Sequence, residues 1–141
     1  MTAVVILGHG DLASGLLSAA NLILGETGSC RAVGLNPGES LEGYLDKVLQ
    51  VIHTLPKESD VLCLVDLFGG TPANVAALLT AKGHCRCLTG ANLPMLLEIL
   101  TRGQDQPLEE LAATGLRSGV DGIVDLVKSL QASSTERGAS K

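Results

Sequence analysis

The chain has 141 residues, 45% of them hydrophobic, 18% charged and 1% aromatic; 10 Lys plus Arg against 15 Asp plus Glu set a net charge of −5. That length and apolar content fit one domain around one packed core and exclude disorder as the overall state. With no Trp, one Tyr and one Phe, aromatic platforms for stacked bases are excluded. No basic patch faces nucleic-acid phosphates, and the acidic balance suits a partner with a positive docking face.

Short apolar runs alternate with helical patterns. Ala3 to Leu7 reads as a buried strand ending in Gly8-His9-Gly10. Leu12 to Leu24 carries apolar residues at helical spacing (Leu12, Leu16, Ala19, Ala20, Ile23, Leu24) and stops at Gly25. A second strand, Cys30 to Leu35, is closed by Asn36-Pro37-Gly38, and Ser40 is placed to cap a helix through Leu41, Tyr44, Leu45, Val48, Leu49 and Ile52. Val61 to Val65 is an unbroken buried strand. After it, Thr71-Pro72 reads as N-cap and first residue of a helix reaching about Ala81. Cys85 to Leu88 is a fourth strand, followed by a short helix from Pro94 to Leu100 and a long one from Leu108 to Leu130. Residues 1–130 form the domain, and the small polar stretch 131–141 reads as a disordered tail or linker stub.

Fourfold strand–helix alternation predicts an α/β fold, a doubly wound and mainly parallel sheet with helices on both faces. Among the cysteines, Cys63 lies inside the apolar strand as a small hydrophobe, and Cys30, Cys85 and Cys87 form no disulfide framework, so reduced thiols are expected. The amino terminus has no basic stretch and its apolar run is too short to span a membrane, which reads as a cytoplasmic protein.

Ligands of such sheets bind beyond the carboxyl ends of the strands, near the switch point. Three loops occupy that edge: Gly8 to Asp11, Asp66 to Thr71 and Thr89 to Pro94. His9 follows a buried strand between two glycines and precedes a helix whose free N–H groups favour an anion; a loop histidine with one local hydrogen bond is the plainer reading. Asp66 ends the strongest strand, where it either accepts the Nδ1 proton of His9, leaving Nε2 nucleophilic, or serves a turn. Thr71 caps its helix, binds a phosphoryl oxygen, or alternates between the two. Gly8-His9-Gly10-Asp11-Leu12-Ala13 also fits a loose dinucleotide fingerprint, yet Leu35-Asn36 stands where that motif needs an acid. His53 reads as a residue of a helix end. His84-Cys85-Arg86-Cys87 lacks a second ligand pair, so no metal is expected.

Gly8-His9-Gly10, Val65-Asp66-Leu67-Phe68-Gly69-Gly70-Thr71-Pro72 and Thr89-Gly90-Ala91-Asn92-Leu93-Pro94-Met95 occur in order. Together they resemble the EIIA component of the mannose-type (mannose, fructose, sorbose, N-acetylgalactosamine) sugar phosphotransferase system, from the first strand to about Leu130. The resemblance implies a phosphoryl carrier without cofactor or metal. His9 would take a phosphoryl group from phospho-HPr and pass it to an EIIB component, which serves the EIIC/EIID membrane complex. Asp66 would hold His9, and Thr71 would bind phosphoryl oxygens beside Gly70 and Gly10. The resemblance further implies strand order 2-1-3-4, a homodimer, and a fifth antiparallel strand exchanged between its subunits. Gly8 stands where relatives often have Thr, and Asp11 where some have a bulky aromatic. The alternatives are the phosphotransfer subunit of a dihydroxyacetone kinase, a nucleotide-binding oxidoreductase domain, and a domain whose phosphorylation signals. The sugar is not legible in this chain.

Overall fold

In the computed structural model the backbone is described for residues 1–103 and 105–139, and side chains as far as Ser134 except Gln104. Four strands alternate with helices: β1 Thr2–His9, α1 Leu12–Leu24, β2 Cys30–Leu35, α2 Leu41–His53, β3 Asp60–Val65, α3 Gly70–Thr80, β4 Cys85–Thr89, α4 Leu93–Arg102, α5 Leu108–Asp121 and α6 Leu126–Ala139. The strands form one parallel sheet in the order β2-β1-β3-β4. This is the expected doubly wound architecture. Because the chain steps from β1 outward to β2 and then back past β1 to β3, the switch point falls between β1 and β3, with His9 and Asp66 at its mouth.

Side-chain alternation along β1 feeds two cores. Ala3, Val5 and Leu7 pack under α2 and α3 with Tyr44, Val48, Cys63, Val65, Val75 and Leu79. Val4 and Ile6 pack on the other face with Leu62, Leu64 and residues of α1, α4 and α5. Burial on both faces is why these strands read as unbroken apolar runs. The single tyrosine is buried in the first core, and its hydroxyl donates to the Val33 carbonyl at 2.6 Å. Burial pushes its phenol well above the usual range.

Several boundaries differ from the sequence reading. β1 extends through His9, so the imidazole stands on the last residue of a strand rather than in a free loop. Gly69, not Thr71, is the N-cap of α3: consecutive positive φ angles at Gly69 (119°) and Gly70 (84°) swing the chain into the helix before the threonine is reached. The last long helix is two. α5 ends at Gly122, and α6 starts anew with Asp125 Oδ1 accepting from Lys128 N at 3.0 Å. Ser40 caps α2 as expected, accepting from Gly43 N at 3.0 Å. Helix α6 takes in residues 131–139 of the expected tail, while Ser140 and Lys141 lie outside the described residues. Among the described residues the single chain forms no fifth strand, and no helix is long and apolar enough to cross a membrane.

One close approach fixes the end of β1 against β2. The Gly10 N–H donates to the Leu35 carbonyl at 2.9 Å, and the Gly10 carbonyl lies where a Cβ on Gly34 would stand. Gly34→Ala therefore forces backbone against side chain at the turn that follows His9. It is expected to lower unfolding stability by about 1–3 kcal/mol, read as a lower urea midpoint at unchanged slope.

Candidate active site

The carboxyl end of β3 sets Asp66 against the end of β1. Its N–H continues the ladder to Leu7 O at 3.1 Å, which turns its side chain toward His9. One carboxylate oxygen, Asp66 Oδ2, lies 2.9 Å from both the backbone nitrogen and the ring Nδ1 of His9. The Asp66 side chain is 8% exposed and that of His9 47% exposed. Backbone N–H is a fixed donor, and an ionised carboxylate only accepts. The second bond therefore puts the ring proton on Nδ1 and leaves the Nε2 lone pair free. Asp66 Oδ1 is buried without a hydrogen-bond partner, so the hold on His9 runs through the other oxygen.

Gly70 lies on the other side of the ring. A Cβ there would come within 3.3 Å of both His9 Cε1 and Nε2, so the absence of a side chain keeps space open at Nε2. Helices α1 and α3, which begin next to this point, start at Asp11 and Gly69 without side-chain caps. Helices α2 and α4 by contrast are capped by Ser40 and Asn92. The first-turn N–H groups at an uncapped start lack intrahelical partners, and the helix dipole places partial positive charge there. An anion bonded to Nε2 meets that field. The Thr71 side chain, in the first turn of α3, is not the helix cap.

The structure thus brings together His9, Asp66 and Gly70, with Thr71 next after Gly70 in the first turn of α3. Gly10 is adjacent, but its N–H is engaged by Leu35; its left-handed φ of 56° turns the chain away from the strand. His53 ends α2 and His84 pairs with Asp60 at 3.1 Å, at the opposite edge of the sheet. Among the described residues no three His, Cys, Asp or Glu are placed to hold a metal ion. The sequence reading missed exposed apolar residues close in the chain to His9 and Asp66: Phe68 is 88% exposed, and Leu67 and Leu12 are also exposed. The motif Leu67-Phe68 carried that signal, since a turn at a sheet edge has no core to bury two large apolar residues.

The tautomer follows from the geometry and is measurable. In ¹⁵N NMR at a pH where His9 is neutral, Nδ1 is expected to carry the proton and Nε2 the lone pair. Asp66→Ala should return the ring to the Nε2–H form that free imidazole side chains favour; an unchanged pattern would show that Asp66 does not set it.

Comparison with known proteins agrees with this geometry. Residues 3–115 match the family model EIIA-man, described as the PTS system fructose IIA component. The chain is 38% identical over 112 residues to the PTS system fructose-specific EIIA component of Bacillus subtilis, covering 79% of this chain and 77% of that protein. It is 35% identical over 142 residues to the PTS system mannose-specific EIIAB component of Escherichia coli, covering 99% of this chain but only 43% of that longer protein. The crystal structure of phosphotransferase system component EIIA from Streptococcus agalactiae superposes with a TM-score of 0.82 at 28% identity, covering 91% of this chain and 99% of that one. A buried carboxylate holding an exposed imidazole at the switch point thus occurs in a chain that belongs to the EIIA-man family: it is a mannose-type EIIA component, a phosphoryl carrier of the sugar phosphotransferase system.

Proposed function

We propose that His9 Nε2 carries the phosphoryl group as a phosphohistidine, taken from phospho-HPr and passed to an EIIB component. The observation that supports this reading is the double bond of Asp66 Oδ2 to the backbone N–H and Nδ1 of His9. In the forward step the bond from phosphorus to the donor breaks as the bond to Nε2 forms. The Nδ1 proton stays with the ring, and the positive charge that develops on the imidazole faces the Asp66 carboxylate. No proton has to leave. The uncapped start of α3, with Gly70 and Thr71, meets the phosphoryl oxygens, and Gly10 holds the turn behind the ring. The same carboxylate holds the ring when EIIB removes the group, so the carrier is reversible. Leu12, Leu67 and Phe68, close in the chain to His9 and Asp66, are exposed and give an apolar surface against which donor and acceptor dock in turn. The net charge of −5 favours partners with a positive face. The reaction uses no cofactor or metal, and it runs in the cytoplasm, delivering phosphoryl groups for the sugar carried by an EIIC/EIID complex.

The homodimer belongs to the same proposal. β4 has a neighbour on one side only, and Val120, Ile123, Val124, Leu126, Val127 and Leu130 are exposed around the break between α5 and α6. An unpaired strand edge and a contiguous apolar segment are both open to a second copy, which is where an exchanged antiparallel strand would lie. Sedimentation at micromolar concentration is expected to give the mass of two chains. A one-chain mass would remove the dimer.

Labelled phosphoenolpyruvate with enzyme I and HPr should place an acid-labile, base-stable label on the wild-type protein, on His53→Ala and on His84→Ala. His9→Ala should take none while remaining folded. Label lost from His53→Ala or His84→Ala instead, or label supplied only by a dihydroxyacetone kinase partner, would overturn the assignment. Asp66→Asn keeps size and an acceptor oxygen but removes the charge. A charge-assisted hydrogen bond exceeds a neutral one by roughly 1–2 kcal/mol, so single-turnover transfer from phospho-HPr should slow on the order of ten-fold or more. An unchanged rate would mean that Asp66 plays no part in the transfer.

A further inference from the structure

Phosphoryl transfer leaves the thiols of β3 and β4 unused. Cys63 on β3 is fully buried, and Cys85 and Cys87 on the edge strand are half-buried. All three project to the face packed by α2 and α3. Cys63 is in register with Cys87, while its sulfur comes within 3.7 Å of the sulfur of Cys85. Cys85 and Cys87 also line a cavity of about 590 Å³ between α3 and β4, bounded toward the active site by Phe68, Gly69 and Thr89. Packing accounts for a lone buried thiol such as Cys30. It does not account for a sulfur pair of which one member opens onto a cavity.

The four thiols are also unequal. A hydrogen bond from Cys63 lowers the pKa of Cys85, and the same bond with burial raises that of Cys63. Burial pushes Cys87 up to about 11 and Cys30 up to about 12. The thiolate is the nucleophilic form, so reactivity concentrates on Cys85.

We propose that Cys85 and Cys63 are a redox-active dithiol, Cys85 reacting with a hydroperoxide that enters through the cavity and Cys63 resolving the product. The Cys85 thiolate attacks one peroxide oxygen; the S–O bond forms and the O–O bond breaks. The sulfur is oxidised by two electrons to a sulfenic acid, and the leaving oxygen takes a proton to become water or an alcohol. The Cys63 sulfur then attacks the Cys85 sulfur; the S–S bond forms, the S–O bond breaks, and hydroxide leaves as water with the Cys63 proton. Two thiols and one hydroperoxide give one disulfide, one alcohol or water, and one further water. The sulfurs must close from 3.7 Å to the roughly 2.05 Å of a disulfide. The ladder pairs Cys63 with Cys87 and Val61 with Cys85, so closure falls to rotation of the two side chains and a slide of β4 along β3.

Peptide mapping tests the pairing directly. Trypsin cuts after Arg31, Lys57, Lys82, Arg86 and Arg102, so Cys30, Cys63, Cys85 and Cys87 fall on four different peptides. The intact protein is treated with one equivalent of hydrogen peroxide, alkylated and digested without reductant. The expected product joins peptide 58–82 to peptide 83–86, with Cys30 still alkylated, and it forms at least ten-fold faster than Cys30 oxidises. Cys63→Ser should instead leave a sulfenic acid on peptide 83–86 that dimedone captures, and Cys85→Ser should leave Cys63 reduced. A bridge from peptide 58–82 to peptide 87–102, a disulfide between two chains, oxidation of all four thiols at one rate, or unchanged oxidation of Cys63 in Cys85→Ser would each overturn the proposal.

Discussion

Everything at the site depends on one oxygen. Asp66 Oδ2 takes two N–H groups from the same residue, one from its backbone and one from its ring. The backbone bond fixes where the carboxylate stands relative to β1, and the ring bond then fixes where the imidazole points. An exposed histidine on a flexible turn would lose several rotamers' worth of freedom on binding a partner. Here that freedom is removed before any partner arrives, because β1 and β3 are adjacent and parallel through Leu7 and Val65. The sheet is in this sense the support of the imidazole, and burial of the Asp66 side chain keeps its hold on the ring from being shared with water.

The surroundings of Nε2 are made by what is missing. Gly70 has no side chain to crowd the ring, and α1 and α3 start without caps. Orphan helix donors ordinarily find side-chain or water partners. At this edge α1 and α3 have no side-chain cap, while α2 and α4 carry their own. The exposed apolar residues extend the same logic to partners: Phe68, two residues after Asp66, reaches into solvent, where it costs solubility unless another protein covers it at times. Transient cover suits a phosphoryl carrier that must meet a donor and an acceptor in turn.

Away from the site, the asymmetry of the sheet decides what is exposed. β1 and β3 are central and closed on both faces, whereas β4 has a free side and half-buried residues. That edge concentrates the structure's unsatisfied features: the unpaired strand, the nearby apolar residues of α5 and α6, and the cavity onto which Cys85 opens. The thiols face α3 rather than the outer edge of β4, so a strand added at that edge and chemistry at Cys85 use different sides of the same element.

The sequence alone determined the strand and helix order, the two-faced burial of Ala3 to Leu7 and Val61 to Val65, and the three motifs at the carboxyl edge. Each is encoded by residues close in the chain, through side-chain periodicity, glycine turns and Ser40 as a cap. What local pattern could not decide was settled by tertiary contact. Thr71 looked like a helix cap, since Ser/Thr before Pro ordinarily is one. The paired positive φ angles of Gly69 and Gly70 start α3 earlier, and only Gly70 passes close to the His9 ring. The break between α5 and α6 was legible in Gly122 and Asp125, but the apolar periodicity running across them masked it. The ring bond from His9 to Asp66 was readable as one of two roles for that aspartate, but its second prong to the His9 backbone and the Cys63–Cys85 contact were not, because their partners lie 57 and 22 residues apart in the chain. Only strand order and register place such residues within a few ångströms of each other.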